Sequence, residues 1–471
     1  MASTPPARAP LDPRTRLLLE GPIAPTLIRL AAPNVLMMFV QASVGLIETY
    51  FVGKLGTDAL AGMSLVFPLF MLMTMMSAGA MGGGIASAIA RALGGGRRAD
   101  ANALVLHASA IALAFGLVFT VVLIGGGRAI YGAMGGTGAS LEAAIAYSNW
   151  VFAGAVLVWL FNSLAAVIRG AGNMTFPAIV STAGAFVLIP LSPVLIFGWG
   201  PVPALGIVGG AVAALAYYLA GTLILAGYLL SGRSVVRPGL EDFAFRRPLF
   251  WDILRVGLVA SLTAATTNLT IAVCTGLVGT LGPNAIAGYG TGARLEYLLV
   301  PIVFGLGAPL VTMVGTNVGA GQRERALRAA WIGGGIAFGL TEFIGLAAAL
   351  FPHAWLSLFD NDPAMLEAGA SYLRSVGPVY GFFGLGLSLY FASQGAGRLL
   401  WPLAANLLRF AVAALGGWVV LRTTGSLTYV FLAQAAALVV YGLGNAAVVA
   451  GGAWFGPIHW PRLRSLQLSK G

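Results

Sequence analysis

The sequence predicts an all-α integral membrane protein of twelve transmembrane helices, in two six-helix bundles related by a pseudo-two-fold axis along the membrane normal. Three observations carry this expectation. Hydrophobic residues fill 58% of the 471 positions and charged residues only 9%, whereas a soluble domain has about a quarter of its residues charged. Twelve apolar stretches follow one another, each of about 20 residues or more, the length that spans a bilayer as a helix. The chain is also built twice: the segment Gly53-Lys54-Leu55-Gly56-Thr57-Asp58-Ala59-Leu60-Ala61-Gly62 returns 226 positions later as Gly279-Thr280-Leu281-Gly282-Pro283-Asn284-Ala285-Ile286-Ala287-Gly288, with six identities.

Taken in order, the first span lies near 24 to 52 and carries Pro33, which removes a backbone donor and predicts a bend. Spans near 59 to 86, 104 to 125, 144 to 168, 176 to 198 and 206 to 231 complete the first half. Glu142 opens the fourth of the six, where a negative charge favours a helix N-terminus. The longest polar stretch inside the chain runs from about 232 to 250, with Arg233, Arg237, Pro238, Glu241, Asp242, Arg246 and Arg247, and reads as a linker. Second-half spans follow near 253 to 278, 285 to 315, 329 to 351, 369 to 392, 401 to 421 and 427 to 453, with Glu367 opening the tenth helix as Glu142 opens the fourth.

The repeat continues at the 226 offset with Gly94-Gly95-Gly96-Arg97 on Ala320-Gly321-Gln322-Arg323. After one deletion, an offset of 225 lays Leu141-Glu142-Ala143 on Leu366-Glu367-Ala368, Gly170-Ala171-Gly172 on Gly395-Ala396-Gly397, and Pro177 on Pro402. The expected division is a cytosolic tail at 1–23, an N-terminal bundle at 24–231, a cytoplasmic linker at 232–252, a C-terminal bundle at 253–453 and a cytosolic tail at 454–471. Six spans is an even number, so both halves enter from one side as a parallel repeat with a cleft between them. Two such halves rocking against each other expose a central site to either side in turn, which points to a transporter.

Charge sets the expected orientation. With the N-terminus inside, cytoplasmic segments hold twenty basic residues, from Arg8 to Lys470, and outer loops hold three, Lys54, Arg128 and Arg422. That places a multi-pass protein in a bacterial inner membrane with both termini cytoplasmic. The net charge of +11 then reports topology. The basic residues are scattered through short loops in no single patch, which argues against a nucleic-acid partner. A single cysteine, Cys274, excludes an internal disulfide and a cysteine-based metal site. Residues 1–20, rich in Pro and Arg, read as a tail and not as a signal peptide.

Few residues could carry chemistry. A carboxylate at the bilayer centre costs about 2.5 to 3.5 kcal/mol on insertion scales, and only Glu48, Glu296 and Glu342 fall well inside spans. Asn34, Gln41 and Glu48 recur every seven residues and so share one stripe of an otherwise apolar helix. The plainer reading of Glu48, five residues from Gly53, is that it snorkels to the headgroups. The repeat pairs Glu48 with Cys274 and Gln41 with Thr267, so the halves are chemically unequal. Glu296 has Arg294 two residues away, and Arg374 and Arg409 are further candidate ion-pair partners. Eight of thirteen methionines, among them Met37, lie between Met37 and Met81. Such residues suit an adaptable pocket, or serve as core filler. Helix position adds Tyr50, Phe67, Trp159, Asn162, Tyr289, Tyr297 and Tyr390 as candidate cargo contacts, against the alternative of ordinary packing. No phosphate-binding Gly-Lys-Ser/Thr loop, catalytic constellation or metal cluster is present, and His107, His353 and His459 lie too far apart in sequence to indicate one.

The stretches Glu48-Thr49-Tyr50-Phe51-Val52-Gly53-Lys54-Leu55-Gly56-Thr57-Asp58-Ala59-Leu60-Ala61, Arg169-Gly170-Ala171-Gly172-Asn173 and Asn317-Val318-Gly319-Ala320-Gly321 resemble the signatures of the MATE (multidrug and toxic compound extrusion) family, over about 24 to 453. The resemblance implies two six-helix bundles in a V and antiport of organic, often cationic, compounds against protons or sodium ions. It is closer to the DinF-like branch, which carries an acid in the first helix, usually Asp, where this chain has Glu48. The fifth helix departs from that pattern, because Leu188 and Ser192 stand where a polar and an acidic residue are expected, and Ala214 stands for a Thr in the sixth. A sodium ion wants about six oxygens, and this set falls short. The acids that another branch keeps in the seventh and tenth helices are missing too: Thr266, Thr267 and Asn268 fill one region, and no acid lies between Tyr372 and Ser393.

The expectation is therefore a multidrug efflux antiporter, not an enzyme, with Glu48 carrying a proton and Asn34, Met37, Gln41, Tyr50, Asn162, Thr267, Tyr289 and Glu296 contacting cargo. It has no cofactor and no resident metal, protons are favoured over sodium, and its partners are small organic substrates and membrane lipids, with the protein a monomer. The alternatives are a lipid-linked oligosaccharide flippase, which would want a basic cavity where only Arg294, Arg374 and Arg409 could contribute, and a membrane binding protein that moves nothing.

Overall fold

The computed structural model describes residues 12–239, 245–359 and 361–456; the side chain of Tyr297 lies outside that description, as do Arg8, Glu241, Asp242, His459, Arg462, Arg464 and Lys470. A short helix α1 (Pro13–Glu20) leads into α2 (Ile23–Gly53), which contains Pro33. The second span is α3 (Thr57–Thr74) joined by a π-helical turn, Met75–Met81, to α4 (Gly82–Gly94). There follow α5 (Arg98–Ala133), α6 (Gly138–Ala153), α7 (Ala155–Gly170), α8 (Thr175–Phe197) and α9 (Ile207–Leu230). The second half comprises α10 (Arg247–Gly279), α11 (Pro283–Ala293), α12 (Glu296–Gly319), α13 (Arg323–Leu350), the short α14 (Pro352–Leu356), α15 (Pro363–Val376), α16 (Tyr380–Ala396), α17 (Leu400–Ala411), α18 (Gly417–Thr424) and α19 (Leu427–Ala450). Eleven helical stretches are long and apolar enough to cross a membrane, and α6 with α7, bent by 46° at Gly154, makes a twelfth. Leu46 and Phe343, each 75% exposed, show the surface that lipid must cover.

The linker is shorter than expected, because α10 begins at Arg247 with Pro248 in its first turn, where a missing N–H costs nothing. What precedes α10 is tied to α5: Asn102 accepts from the Arg237 amide at 2.8 Å, the Val235 carbonyl accepts from Arg98 at 3.1 Å, and Asp100 pairs with Arg246 at 2.9 Å.

The internal repeat is visible in the backbone. Gly56 (φ 116°) and Gly282 (φ 109°) make the same left-handed step before α3 and α11, 226 positions apart. Past these helices the register changes: Gly96 (φ 72°) matches Gly321 (φ 76°), and Gly172 (φ 85°) matches Gly397 (φ 73°), both at 225. The extra residue of the first half therefore falls before Gly96, where the π turn Met75–Met81 absorbs it, since an i→i+5 turn holds one residue more than an α turn. This corrects the pairing of Gly94–Arg97 with 320–323, which slides by one. The bend at Gly154 has its counterpart, again at 225, in the break Gly377–Val379 between α15 and α16.

The two halves meet at one end only. The π turn and α4 pack against α10, α12 and α16, and α2 packs against α12, whereas α3 and α11 pack within their own halves. All these inter-half contacts lie toward the face at which α2 and α10 begin, the face that carries most of the arginines. At this closed end the backbones nearly touch. A Cβ on Gly94 would collide with the Thr316 carbonyl, and one on Gly319 with the Arg91 carbonyl. Polar bonds cross the seam: Ser87 donates to the Gln394 carbonyl at 2.6 Å, Arg91 donates to the Gly395 carbonyl at 3.1 Å, and Arg91 pairs with Asp252 at 3.0 Å; within α4, Arg91 also donates to Ser87. Toward the opposite face the halves diverge, leaving a V-shaped cleft.

Candidate functional site

Each half contains one polar pocket, and the repeat relates the two. In the first half, Glu48 on α2 is turned inward among Tyr147 of α6, Ser192 of α8 and Tyr218 of α9. Its Oε1 is buried without a hydrogen-bond partner, as is the Ser192 hydroxyl, whose residue is fully buried. The helix sequence accounts for the placement: Leu188 and Ser192 are four residues apart on α8 and present one face to α2, where Leu188 joins Val44, Ala185 and Ala213 in an apolar patch below the acid.

The second half has the corresponding tyrosine, since Tyr372 is Tyr147 plus 225, but its acid stands on a different helix. Cys274 occupies the place of Glu48, and Glu296, at the start of α12, accepts a hydrogen bond from the Tyr372 hydroxyl at 2.9 Å; Tyr380 in turn donates to Tyr372 at 3.3 Å. Tyr289 packs edge-on to Tyr372 (5.2 Å between ring centroids) and stacks on Phe431 (5.9 Å). Cys274, Glu296, Tyr372 and Tyr289, with Thr270, Arg409, Gln434 and Leu438, line a cavity of about 40 Å³.

The remaining candidates are dispersed. Asn34 is buried near the closed end, donating to the Leu30 carbonyl at 3.5 Å. Gln41 is exposed and faces Tyr217, so the heptad stripe of α2 passes through three surroundings. Met37 is half-buried, and Tyr50 is 60% exposed beneath the Lys54 ammonium, 4.7 Å from its ring centre. Asn162 donates to Ser77 at 2.8 Å and pins the π turn to α7. Thr267 donates to the Thr263 carbonyl at 3.0 Å and lies 3.4 Å from the Asn406 amide oxygen. Trp159 is fully buried and stacked on Phe115, Tyr390 is buried, and Phe67 is exposed. Of the other charges, Arg294 lies over Phe359, Arg374 is exposed, and Glu342 accepts from the Gly381 amide at 2.7 Å. A larger groove of about 440 Å³ lies on the arginine-rich face, lined by Arg323, Glu324, Arg325 and Arg328, away from both pockets. Sequence reasoning singled out Ser192 only as a departure from the family pattern, and missed Tyr147, Tyr218, Tyr372 and Gln434 as site residues. The 225 offset, which pairs Tyr147 with Tyr372, was the available signal for two of them.

The MatE family model matches residues 33–194 and again 260–419, once in each half. A protein of Shewanella oneidensis named FAD transporter is 30% identical over 413 residues, covering 85% of this chain and 90% of its own length. The probable multidrug resistance protein NorM of Thermotoga maritima is 26% identical over 400 residues, 83% of each chain. Among solved structures, an outward-facing multidrug resistance MATE family transporter of the MOP superfamily superposes with a TM-score of 0.85 at 24% identity, covering 94% of this chain and 99% of that one. The twice-matched family model, the duplicated six-helix bundles and the cleft between them agree: the chain belongs to the MatE family, the multidrug and toxic compound extrusion transporters.

Proposed function

We propose that this protein is a secondary active antiporter that exports organic, cationic or amphipathic compounds by alternating access, each outward step exchanged for an inward proton carried on Glu48. The arginine-rich closed end faces the cytoplasm of a bacterial plasma membrane, so the described conformation is open to the outside. The observation that carries the reading is Glu48 Oε1, shut inside the first-half pocket with no hydrogen-bond partner. A carboxyl so placed, with Ser192 as its polar neighbour and no described cationic side chain beside it, suits a proton or a cationic cargo. The surrounding groups are one hydroxyl and two phenols, too few oxygens for sodium, which wants about six. Proton and cationic cargo then compete for one group. A monocation leaving against the membrane potential costs about 2.3 kcal/mol per 100 mV, and an entering proton returns the same amount, so one-for-one exchange runs on the pH difference alone. The protein works as a monomer, with its site inside one chain.

The test is efflux from proteoliposomes under separate proton and sodium gradients. Glu48→Gln is expected to abolish proton-driven efflux of a cationic dye while leaving the protein folded. Equal transport by wild type and variant, or uptake driven by sodium alone, would overturn the reading. A second cargo, the flavin dinucleotide named for the Shewanella relative, enters the same assay, favoured by 30% identity across nine-tenths of that protein.

A further inference from the structure

The two half-pockets differ in charge: the first gathers an acid alone, and the second an acid, Glu296, together with an arginine. On α8 of the first half, two turns before Ser192, stands Gly184, and the ring of Tyr217 lies 2.6 Å from where its Cβ would be. At the equivalent position of the second half, 225 residues on, α17 carries Arg409. Arg409 is nine residues into its span from Leu400 and fifteen from Thr424. At 1.5 Å per residue it lies about 14 Å from one end and about 22 Å from the other. Headgroup phosphates do not reach that depth, and an arginine there costs at least about 2.5 kcal/mol unless something uses it.

No described residue pairs with it directly. Among the described residues no carboxylate lies within 4.0 Å of the Arg409 guanidinium and none of its N–H groups has a hydrogen-bond acceptor; it lies over the face of Tyr441, 5.0 Å from the ring centre, and feels the Glu296 charge only across the cavity. Glu296 lines the same cavity, but its Oε1 is taken by Tyr372. The third polar group, Gln434 of α19, is 9% exposed, and its Nε2 is buried without a partner. Two unspent donors, one of them cationic, thus meet across a cavity of about 40 Å³, the size of one carboxylate or a small part of a phosphate. Ile271 at its rim is 49% exposed. Donors without acceptors are complementary to an anion.

We propose that the second-half cavity is a subsite for the anionic group, carboxylate or phosphate, of a cargo molecule, held by the Arg409 guanidinium and the Gln434 amide. Tyr289, Tyr372, Thr270 and Cys274 complete the wall, and Glu296 opposes the anion with its own charge. Together with an acid pocket in the other half, the arrangement favours cargo that carries both signs of charge. The subsite stands whether or not Glu48 couples protons.

Two dyes of one scaffold and opposite charge test it: fluorescein, a carboxylate, and rhodamine 6G, a cation, bound to the purified full-length protein and read by fluorescence polarisation at pH 7.5. Arg409→Gln is expected to weaken fluorescein at least tenfold and to leave rhodamine 6G within twofold. Arg409→Lys retains most of the affinity, Gln434→Leu loses about threefold, and Glu296→Gln tightens fluorescein severalfold by removing the opposing charge. The proposal is overturned if wild type does not bind fluorescein, if Arg409→Gln binds it as wild type does, or if Glu296→Gln leaves it unchanged in protein that elutes as a single folded peak. Loss of rhodamine 6G binding in Glu48→Gln alone speaks to the antiport reading and leaves this one intact.

Discussion

Replacing Asp252 by Asn tests what keeps the closed end closed. Asp252 links the halves through Arg91 at 3.0 Å, and Arg91 is 7% exposed with its other nitrogen on Ser87 and the Gly395 carbonyl. Removing one member of a fully buried pair costs about 3 to 5 kcal/mol because the other charge is stranded. Here the cost is smaller: the Asp252 side chain is 26% exposed and also pairs with Arg255 at 2.7 Å, and Arg91 keeps its carbonyl and hydroxyl acceptors. About 2 kcal/mol remains, and at 1.4 kcal/mol per factor of ten the equilibrium between outward-open and inward-open states moves about 30-fold. Spin labels on Lys54→Cys and Thr280→Cys, two exposed and repeat-related positions at the open end, in a Cys274→Ala background, report the width of the cleft by pulsed dipolar spectroscopy. Asp252→Asn should convert a single long distance into a mixture with a shorter one, and adding Arg91→Ala should change little further. Superimposable distributions for wild type and Asp252→Asn would mean that glycine packing and the Ser87 and Arg91 bonds to the 394–395 carbonyls hold the seam without this ion pair.

Two further outcomes follow from packing. Gly319→Ala puts a methyl group against the Arg91 carbonyl and should wedge the closed end, lowering transport several-fold with the protein still membrane-inserted, measured as dye efflux per mole of transporter. Trp159→Ala, at a fully buried ring stacked on Phe115 at 5.1 Å, should cost about 3 kcal/mol and lower the Tm of the solubilised protein. Its dye affinities should stay unchanged, and a selective loss of one dye would show that this ring contacts cargo after all.

Much of the fold was legible because lipid imposes it. A backbone without water must pair with itself, so apolar runs became helices nearly where hydropathy placed them. The turn at Gly56 announced its twin at Gly282 because both need a left-handed step. The family followed from the same stretches. Less was legible at the sites. The heptad Asn34, Gln41 and Glu48 reads as one stripe on an ideal helix, yet the three meet a seam, a cleft and a closed pocket in turn, because those surroundings come from four other helices. The extra residue of the first half was assigned past Arg97, since sequence identity cannot locate an insertion that a π turn hides inside a continuous helix.

The sequence by itself determined the membrane class, the twelve spans, the duplication and the scarcity of acids, since each depends on composition and local spacing. Tertiary structure alone decided that the second half-pocket gathers an acid, an arginine and an unpaired amide around one cavity. Glu296, Tyr372, Arg409 and Gln434 come from four separate spans and meet only when their helices pack. It also decided the conformation: the seam between the halves closes at one end because Gly94 and Gly319 let two backbones touch there, and that contact is defined by the distance between helices, which no single segment encodes.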